Sequence, residues 1–176
     1  MKSKLAVIFP GIGYHSDKPL LYYSKKILKD NGFEILDVPY GNLPKDDKLK
    51  SYNIAKETTE KFLQNINFEI YDQIFFVSKS IGTMVSGYFQ KKHNLKVKNI
   101  YFTPVNESLE VLDNNGIVFS GTNDSWVNTD NLKEVCKEKG LKLNLFDHAN
   151  HSLETDEVLQ NISIQYEIAK FIKEYV

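Results

Sequence analysis

A single cysteine, Cys136, leaves the chain without the means for an internal disulfide, and this fits a reducing compartment. Excess charge of either sign is also lacking. The formal net charge is −1, and the lysines are dispersed among Glu and Asp rather than gathered into one block. Composition therefore gives no electrostatic ground for a nucleic-acid partner or an anionic membrane. No run approaches the ~20 apolar residues of a membrane span. The N-terminal apolar run, residues 5–9, is shorter than the roughly 7–15 residues of a signal-peptide core, and it ends in Pro10-Gly11 rather than a cleavage site. It reads as a buried strand, and the expected location is cytoplasmic. Internal repeats, low-complexity tracts and linkers are absent as well. The 176 residues are expected to form one domain, 1–176, able to bury roughly 70% of its unfolded surface.

What is present is an alternation of short apolar runs with amphipathic stretches. Residues 5–9, 33–38, 73–77, 98–103, 116–120 and 141–146 read as six strands. Residues 73–77 are apolar without alternation, as in a parallel strand covered on both faces. Helices are expected in four of the gaps and at the end. The first starts near Pro19, with Asp17 as its cap and Leu20, Tyr23, Ile27 and Leu28 inward, and it stops at Asn31-Gly32. The second covers 48–65, with Leu49, Ile54, Thr58, Phe62 and Leu63 inward. The third follows Ser80 with Ile81, Met84, Val85 and Tyr88 on one face. The fourth carries Leu132, Val135 and Cys136 in or near the core and stops at Gly140. The last runs over 156–175. No helix is expected between Pro104 and Gly116. The pattern predicts an α/β domain: a three-layer α/β/α sandwich around a six-stranded, mainly parallel sheet.

In such a sheet ligands gather at the carboxyl ends of the strands. Four polar features fall there: Pro10-Gly11-Ile12-Gly13-Tyr14, Ser80, Gly121-Thr122-Asn123-Asp124, and Asp147-His148-Ala149-Asn150-His151-Ser152. Phe75-Phe76-Val77-Ser78-Lys79-Ser80-Ile81-Gly82 is a strand-like run that meets a helix-like one at a serine. A sharp turn of that kind presents a nucleophilic hydroxyl, and the residues two to either side of it must be small. Here those are Ser78 and Gly82, so the usual G-x-S-x-G pattern is changed at its first position.

Taken together, these motifs resemble the α/β-hydrolase family in a small, lidless form. The resemblance extends from residue 5 to the last helix. It implies the strand order 2-1-3-4-5-6 and a nucleophile–acid–base order met here by Ser80, Asp124 and His151. In that chemistry a base takes the serine proton, and a carboxylate holds the resulting imidazolium. It also implies an oxyanion hole, with the amide of Ile81 as one donor and that of Ile12, or else Gly13, as the other. Tyr14, His15 and Trp126 would edge a shallow, open pocket, or simply pack at its rim. Lys79 is expected to face solvent, where it could meet a substrate carboxylate. The implied activity is that of a serine hydrolase of carboxylesterase type. It would act without a cofactor or metal on a small-molecule ester, thioester or other acyl compound.

Alternatives stand beside each of these residues. Ser80 could be only a helix cap, and Ser78 is a competing serine. Asp113, ranked second, and Asp147 are other candidate acids. His148 competes with His151, and the pair with Asp147 could ligate a metal, although nothing completes a zinc set. Gly11-Ile12-Gly13, with Glu34 and Asp37 nearby, is a weak dinucleotide signal. The remaining function readings are a binding protein that keeps the hydrolase fold without turnover and a Rossmann-like nucleotide-binding protein. Oligomeric state is not readable.

Overall fold

The computed structural model describes residues 3–176; residues 1 and 2 of the expected domain lie outside the described residues. The chain alternates strands and helices in the order β1 (Lys4–Phe9), α1 (Pro19–Asp30), β2 (Glu34–Asp37), α2 (Lys48–Leu63), β3 (Gln73–Lys79), α3 (Ile81–Lys92), β4 (Lys98–Phe102), β5 (Gly116–Gly121), α4 (Thr129–Lys139), β6 (Lys142–Phe146) and α5 (Val158–Tyr175). The six strands form one sheet in the order β2-β1-β3-β4-β5-β6, and every pairing is parallel. The order departs from sequence at β1–β3, which is the topological switch where such sheets open a crevice.

The strands are apolar on both sides because helices cover both faces. Ala6, Ile8, Phe75, Val77, Ile100, Phe102, Ile117 and Phe119 pack with Leu20, Leu21 and Leu28 of α1 and Ile164, Ile168 and Ile172 of α5. Leu5, Val7, Phe9, Ile74 and Phe76 pack on the other face with Ala55 and Leu63 of α2 and Val85 and Phe89 of α3. Tyr101 and Val118 continue that face toward Leu132 and Cys136 of α4, and Cys136 is buried there as a free thiol. The β4–β5 crossover holds a short 3-10 helix, Asn106–Val111, in place of an α-helix.

Two helices turn other faces inward than their apolar spacing suggested. In α1 the buried stripe is Leu20, Leu21, Ser24 and Leu28, and Tyr23 is 49% exposed. In α2 it is Ser51, Ala55, Thr59 and Leu63, while Leu49 is 70% exposed and Phe62 is also exposed. Small hydroxyl residues account for the difference. Ser24 donates to the Leu20 carbonyl, Ser51 to the Pro44 carbonyl and Thr59 to the Ala55 carbonyl, so each is buried with its hydroxyl satisfied. In α3, Val85 and Phe89 point into the core and Met84 and Tyr88 are only partly buried. Asp17 does not cap α1: Lys18 is the capping residue and makes no side-chain cap bond.

Candidate active site

Strand β3 runs straight into α3 through Ser80, whose backbone has φ 56° and ψ −123°. Non-glycine residues avoid this region, so the conformation is held by its surroundings. The Ser80 amide donates to the Phe102 carbonyl at 3.0 Å, which extends the β3–β4 ladder through the turn. The Ser80 carbonyl accepts from the Thr83 amide at 2.9 Å and the Thr83 hydroxyl at 2.6 Å, which fastens the first turn of α3. The turn fits only because Gly82 lies against the end of β1. A Cβ there would sit 2.2 Å from the Phe9 carbonyl oxygen and 2.7 Å from that of Pro10. Ser78 tolerates the position usually held by glycine. It is fully buried, paired in register with Phe9 and Tyr101, and its hydroxyl has no hydrogen-bond partner among the described residues.

Asp124 and His151 arrive on the loops that follow β5 and β6. Gly121 brings these loops together: a Cβ on it would fall 2.0 Å from the Ala149 carbonyl oxygen. The Asn123 amide donates to that same oxygen at 3.0 Å. The result is a continuous chain of polar contacts. His151 Nε2 is 2.8 Å from Ser80 Oγ, and His151 Nδ1 is 2.9 Å from both carboxylate oxygens of Asp124. The Asp124 side chain is fully buried, and its Oδ1 also accepts from the Trp126 amide at 2.9 Å. The Trp126 ring stacks on the His151 imidazole, with centroids 5.2 Å apart, and Lys48 Nζ lies 4.1 Å from the centre of that indole.

Burial is the main cause that holds the His151 imidazole below its ordinary proton affinity. The hydrogen bond to Asp124 opposes burial, whereas the positive charges of Lys79 and Lys48 add to it. The imidazole is thus kept neutral near pH 7, with Nε2 free to accept a proton from Ser80.

The competing residues lie elsewhere. The Asp113 amide donates to the Tyr101 hydroxyl, and its carboxylate accepts from the Asn115 amide, so it caps a turn away from His151. His148 is exposed, held by its amide through the Thr122 hydroxyl. The described residues hold no cluster of three His, Cys, Asp or Glu placed for a metal. Gly11-Ile12-Gly13 does not open a helix, because α1 begins only at Pro19. Instead Gly11 abuts the elbow, where a Cβ would lie 3.2 Å from both the Lys79 carbonyl oxygen and Ser80 Cβ. Asp37 pairs with Lys25.

A cavity of about 190 Å³ opens beside Ser80, walled by Ile12, Leu49, Tyr52, Ile81, Met84, Val105 and Trp126, with Lys48 and Glu107 as its polar members. Of the residues expected at the pocket, Trp126 lines it, and Tyr14, His15 and Lys79 do not. His15 and Gly13 line a separate depression, Tyr14 is buried against the start of α1 with its hydroxyl accepting from the Leu20 amide, and Lys79 is 1% exposed. Lys79 cannot face solvent because it shares a strand face with Phe75 and Val77, which packs under α1 and α5. The walls from α2, Leu49 and Tyr52, carried no local signal in the sequence. Met84, one helical turn beyond Ser80, was recoverable from its spacing.

No protein-family model matches the chain, and neither does any curated protein sequence. Solved structures do. Est1E from Butyrivibrio proteoclasticus is 13% identical, with a TM-score of 0.67 over 99% of this chain and 88% of that one. XC6422 from Xanthomonas campestris, described as an α/β serine hydrolase without a lid, is 12% identical, with a TM-score of 0.66 over 100% and 84%. The Pyrococcus furiosus esterase Pf2001 is 13% identical, with a TM-score of 0.69 over 99% and 82%. At these identities the likeness establishes the fold: an α/β-hydrolase sheet in the order 2-1-3-4-5-6.

Proposed function

We propose that this chain is a serine hydrolase of carboxylesterase type, cleaving a small ester, thioester or other acyl compound through an acyl-enzyme. The observation that carries this reading is the unbroken contact from Ser80 Oγ through His151 to Asp124, at 2.8 and 2.9 Å, on a strained strand-to-helix turn. Ser80 Oγ attacks the acyl carbonyl while His151 Nε2 takes its proton. Asp124 holds Nδ1–H and stabilises the imidazolium. The imidazolium then protonates the leaving group, and a water activated by the same imidazole releases the acid.

The oxyanion falls to the amide of Ile81, at the N-terminal end of α3, and to that of Ile12. Neither amide has a hydrogen-bond acceptor among the described residues. Ile12 is preferred to Gly13 because it lines the cavity that contains Ser80. The cavity is smaller than the roughly 300–1,000 Å³ of sites for drug-sized ligands, and its walls are apolar. A short, uncharged acyl group suits it better than a lipid.

An alkyl fluorophosphonate should label Ser80, and Ser80→Ala should abolish the labelling. Folded protein that resists labelling, or is labelled at another residue, would refute the proposal. Turnover of short p-nitrophenyl esters then separates an enzyme from a binding protein on the same fold.

A further inference from the structure

Helix α5 is apolar on two sides. Ile164, Ile168 and Ile172 face the sheet. On the outward side Val158, Leu159, Ile162 and Tyr166 stand 61–78% exposed. With 3.6 residues per turn these four fall on one stripe. Tyr23 of α1, also exposed, continues the patch across a groove of about 450 Å³ that Pro19, Val158, Ile162 and Tyr166 help to wall. The outward face of a surface helix is ordinarily polar, and a contiguous apolar patch in its place marks an interaction site.

Charges flank the patch in a definite order. Glu154, Asp156 and Glu157 precede it, and Lys170 and Lys173 follow it on the outward stripe, all of them exposed. Lys170 Nζ lies 5.7 Å from the centre of the Tyr166 ring, so the basic end adjoins the apolar part. None of the five makes an ion pair among the described residues. From residue 158 to residue 166 the helix carries no charge. Glu167 and Glu174 fall on the flank away from the groove. The face therefore runs acidic, apolar, basic along its length, and turned end for end that order is its own complement.

We propose that this face binds a second copy of the chain, the two α5 helices packing antiparallel about a two-fold axis level with residue 164. Ile162 of each copy then meets Tyr166 of the other, and the acidic end of each helix lies against Lys170 and Lys173 of the other. A parallel pairing would instead set acid on acid and base on base. The dimensions agree with a pair. Helix α5, of 18 residues, is about 27 Å long, and with α1 beside it presents about 500 Å² in projection, near the roughly 600 Å² per partner at which specific interfaces begin. The cavity beside Ser80 is walled by α2, α3 and loops, and these helices cover the other face of the sheet, so it stays open in the pair. Pairing of this kind is independent of whether Ser80 is a nucleophile.

Sedimentation equilibrium of the parent protein at micromolar concentration should give twice the chain mass of 20.3 kDa. Ile162→Glu should weaken association about 100-fold or more, by placing two unpaired carboxylates at the centre of the contact. Tyr166→Glu repeats the measurement, and both positions are exposed in the single copy, so either variant should fold. Lys170→Glu with Lys173→Glu should weaken association about tenfold, and adding Glu154→Lys and Glu157→Lys should restore it. Ser163→Cys lies near the axis and should oxidise to a disulfide-linked dimer. Lys170→Cys, about 18 Å from its counterpart along the helix, should not. The native Cys136 is buried and does not interfere. A parent that sediments as a single chain would overturn the proposal, as would a dimer indifferent to both Ile162→Glu and Tyr166→Glu. Cross-linking through Lys170→Cys in place of Ser163→Cys would overturn the antiparallel arrangement. A single-chain parent that co-sediments with phosphatidylglycerol vesicles would assign the face to a membrane and overturn it equally.

Discussion

Gly121→Ala is expected to separate the acid from the base without touching either. The new methyl carbon would be built 2.0 Å from the Ala149 carbonyl oxygen and 2.5 Å from its carbon, where ordinary contacts begin near 3.4 Å. Backbone must therefore move by more than 1 Å, because no flexible side chain is available to yield. The displaced carbonyl accepts the Asn123 amide and lies two residues before His151, so the shift is delivered to both ends of the Asp124–His151 contact. Overpacking of this kind costs about 1–3 kcal/mol. A misplacement near 1 Å at a reacting group costs about 10²-fold in rate. Urea unfolding reads the first number, and the second-order rate of fluorophosphonate labelling reads the second. Gly140→Ala is the control. Gly140 closes α4 with φ +67°, and a Cβ there meets nothing within 4 Å. It should lose about 1 kcal/mol from backbone strain and label at the parent rate. Equal labelling rates for Gly121→Ala and the parent would refute the claim that this glycine sets the acid–base geometry.

Two further outcomes are expected. Asp124→Asn keeps the shape but removes the charge that holds His151 Nδ1–H, and should lower kcat by about 10⁴-fold while KM changes little; a loss below tenfold would point to another acid. The folded-state Lys79 gives up its proton near pH 7, far below the 10.5 of the unfolded chain, so between these values the unfolded state binds more protons and stability rises with pH. From pH 7 to 9 this contributes about 1.4 kcal/mol per pH unit at most, and urea midpoints of the parent should climb relative to Lys79→Met across that window. Parallel curves for the two proteins would show that the ammonium is not desolvated as its burial indicates.

Sequence carried the architecture far because parallel strands buried on both faces have few alternatives. Residues 73–77 could not be an exposed helix or a one-sided strand, and the β2-β1-β3-β4-β5-β6 order followed from the resemblance of the whole arrangement. Strand ends placed four polar features on one rim, and the resemblance singled out Ser80, Asp124 and His151 among them. Side-chain direction within helices was less legible. Hydroxyls that satisfy themselves on nearby carbonyls, Thr59 on the preceding turn and Ser51 on the loop before α2, behave as small apolar residues, and counting hydrophobes missed the buried stripe of α2. Exposed Leu49 was counted as core, yet it walls the cavity. The burial of Lys79 was recoverable in principle. Period-two alternation places it with Phe75 and Val77, and its charge alone suggested solvent.

The change from glycine to serine at position 78 bears on how little such an elbow needs. Two constraints act on the turn, and they are unequal. Gly82 faces backbone carbonyls at 2.2 and 2.7 Å, atoms that cannot withdraw without pulling β1 out of register. Ser78 is still inside β3, between Phe9 and Tyr101, where its side chain is fully buried. A small side chain is admitted there at the expense of one buried hydroxyl without a partner, about 1–3 kcal/mol of desolvation. Ser80 keeps φ 56° and ψ −123° with Ser78 in place. The requirement for glycine therefore lies on the helix side of the nucleophile, and the strand side asks only for small size. A motif written with glycine at both places overstates the physics, and it would pass over a chain whose contacts at 2.8 and 2.9 Å are already in place.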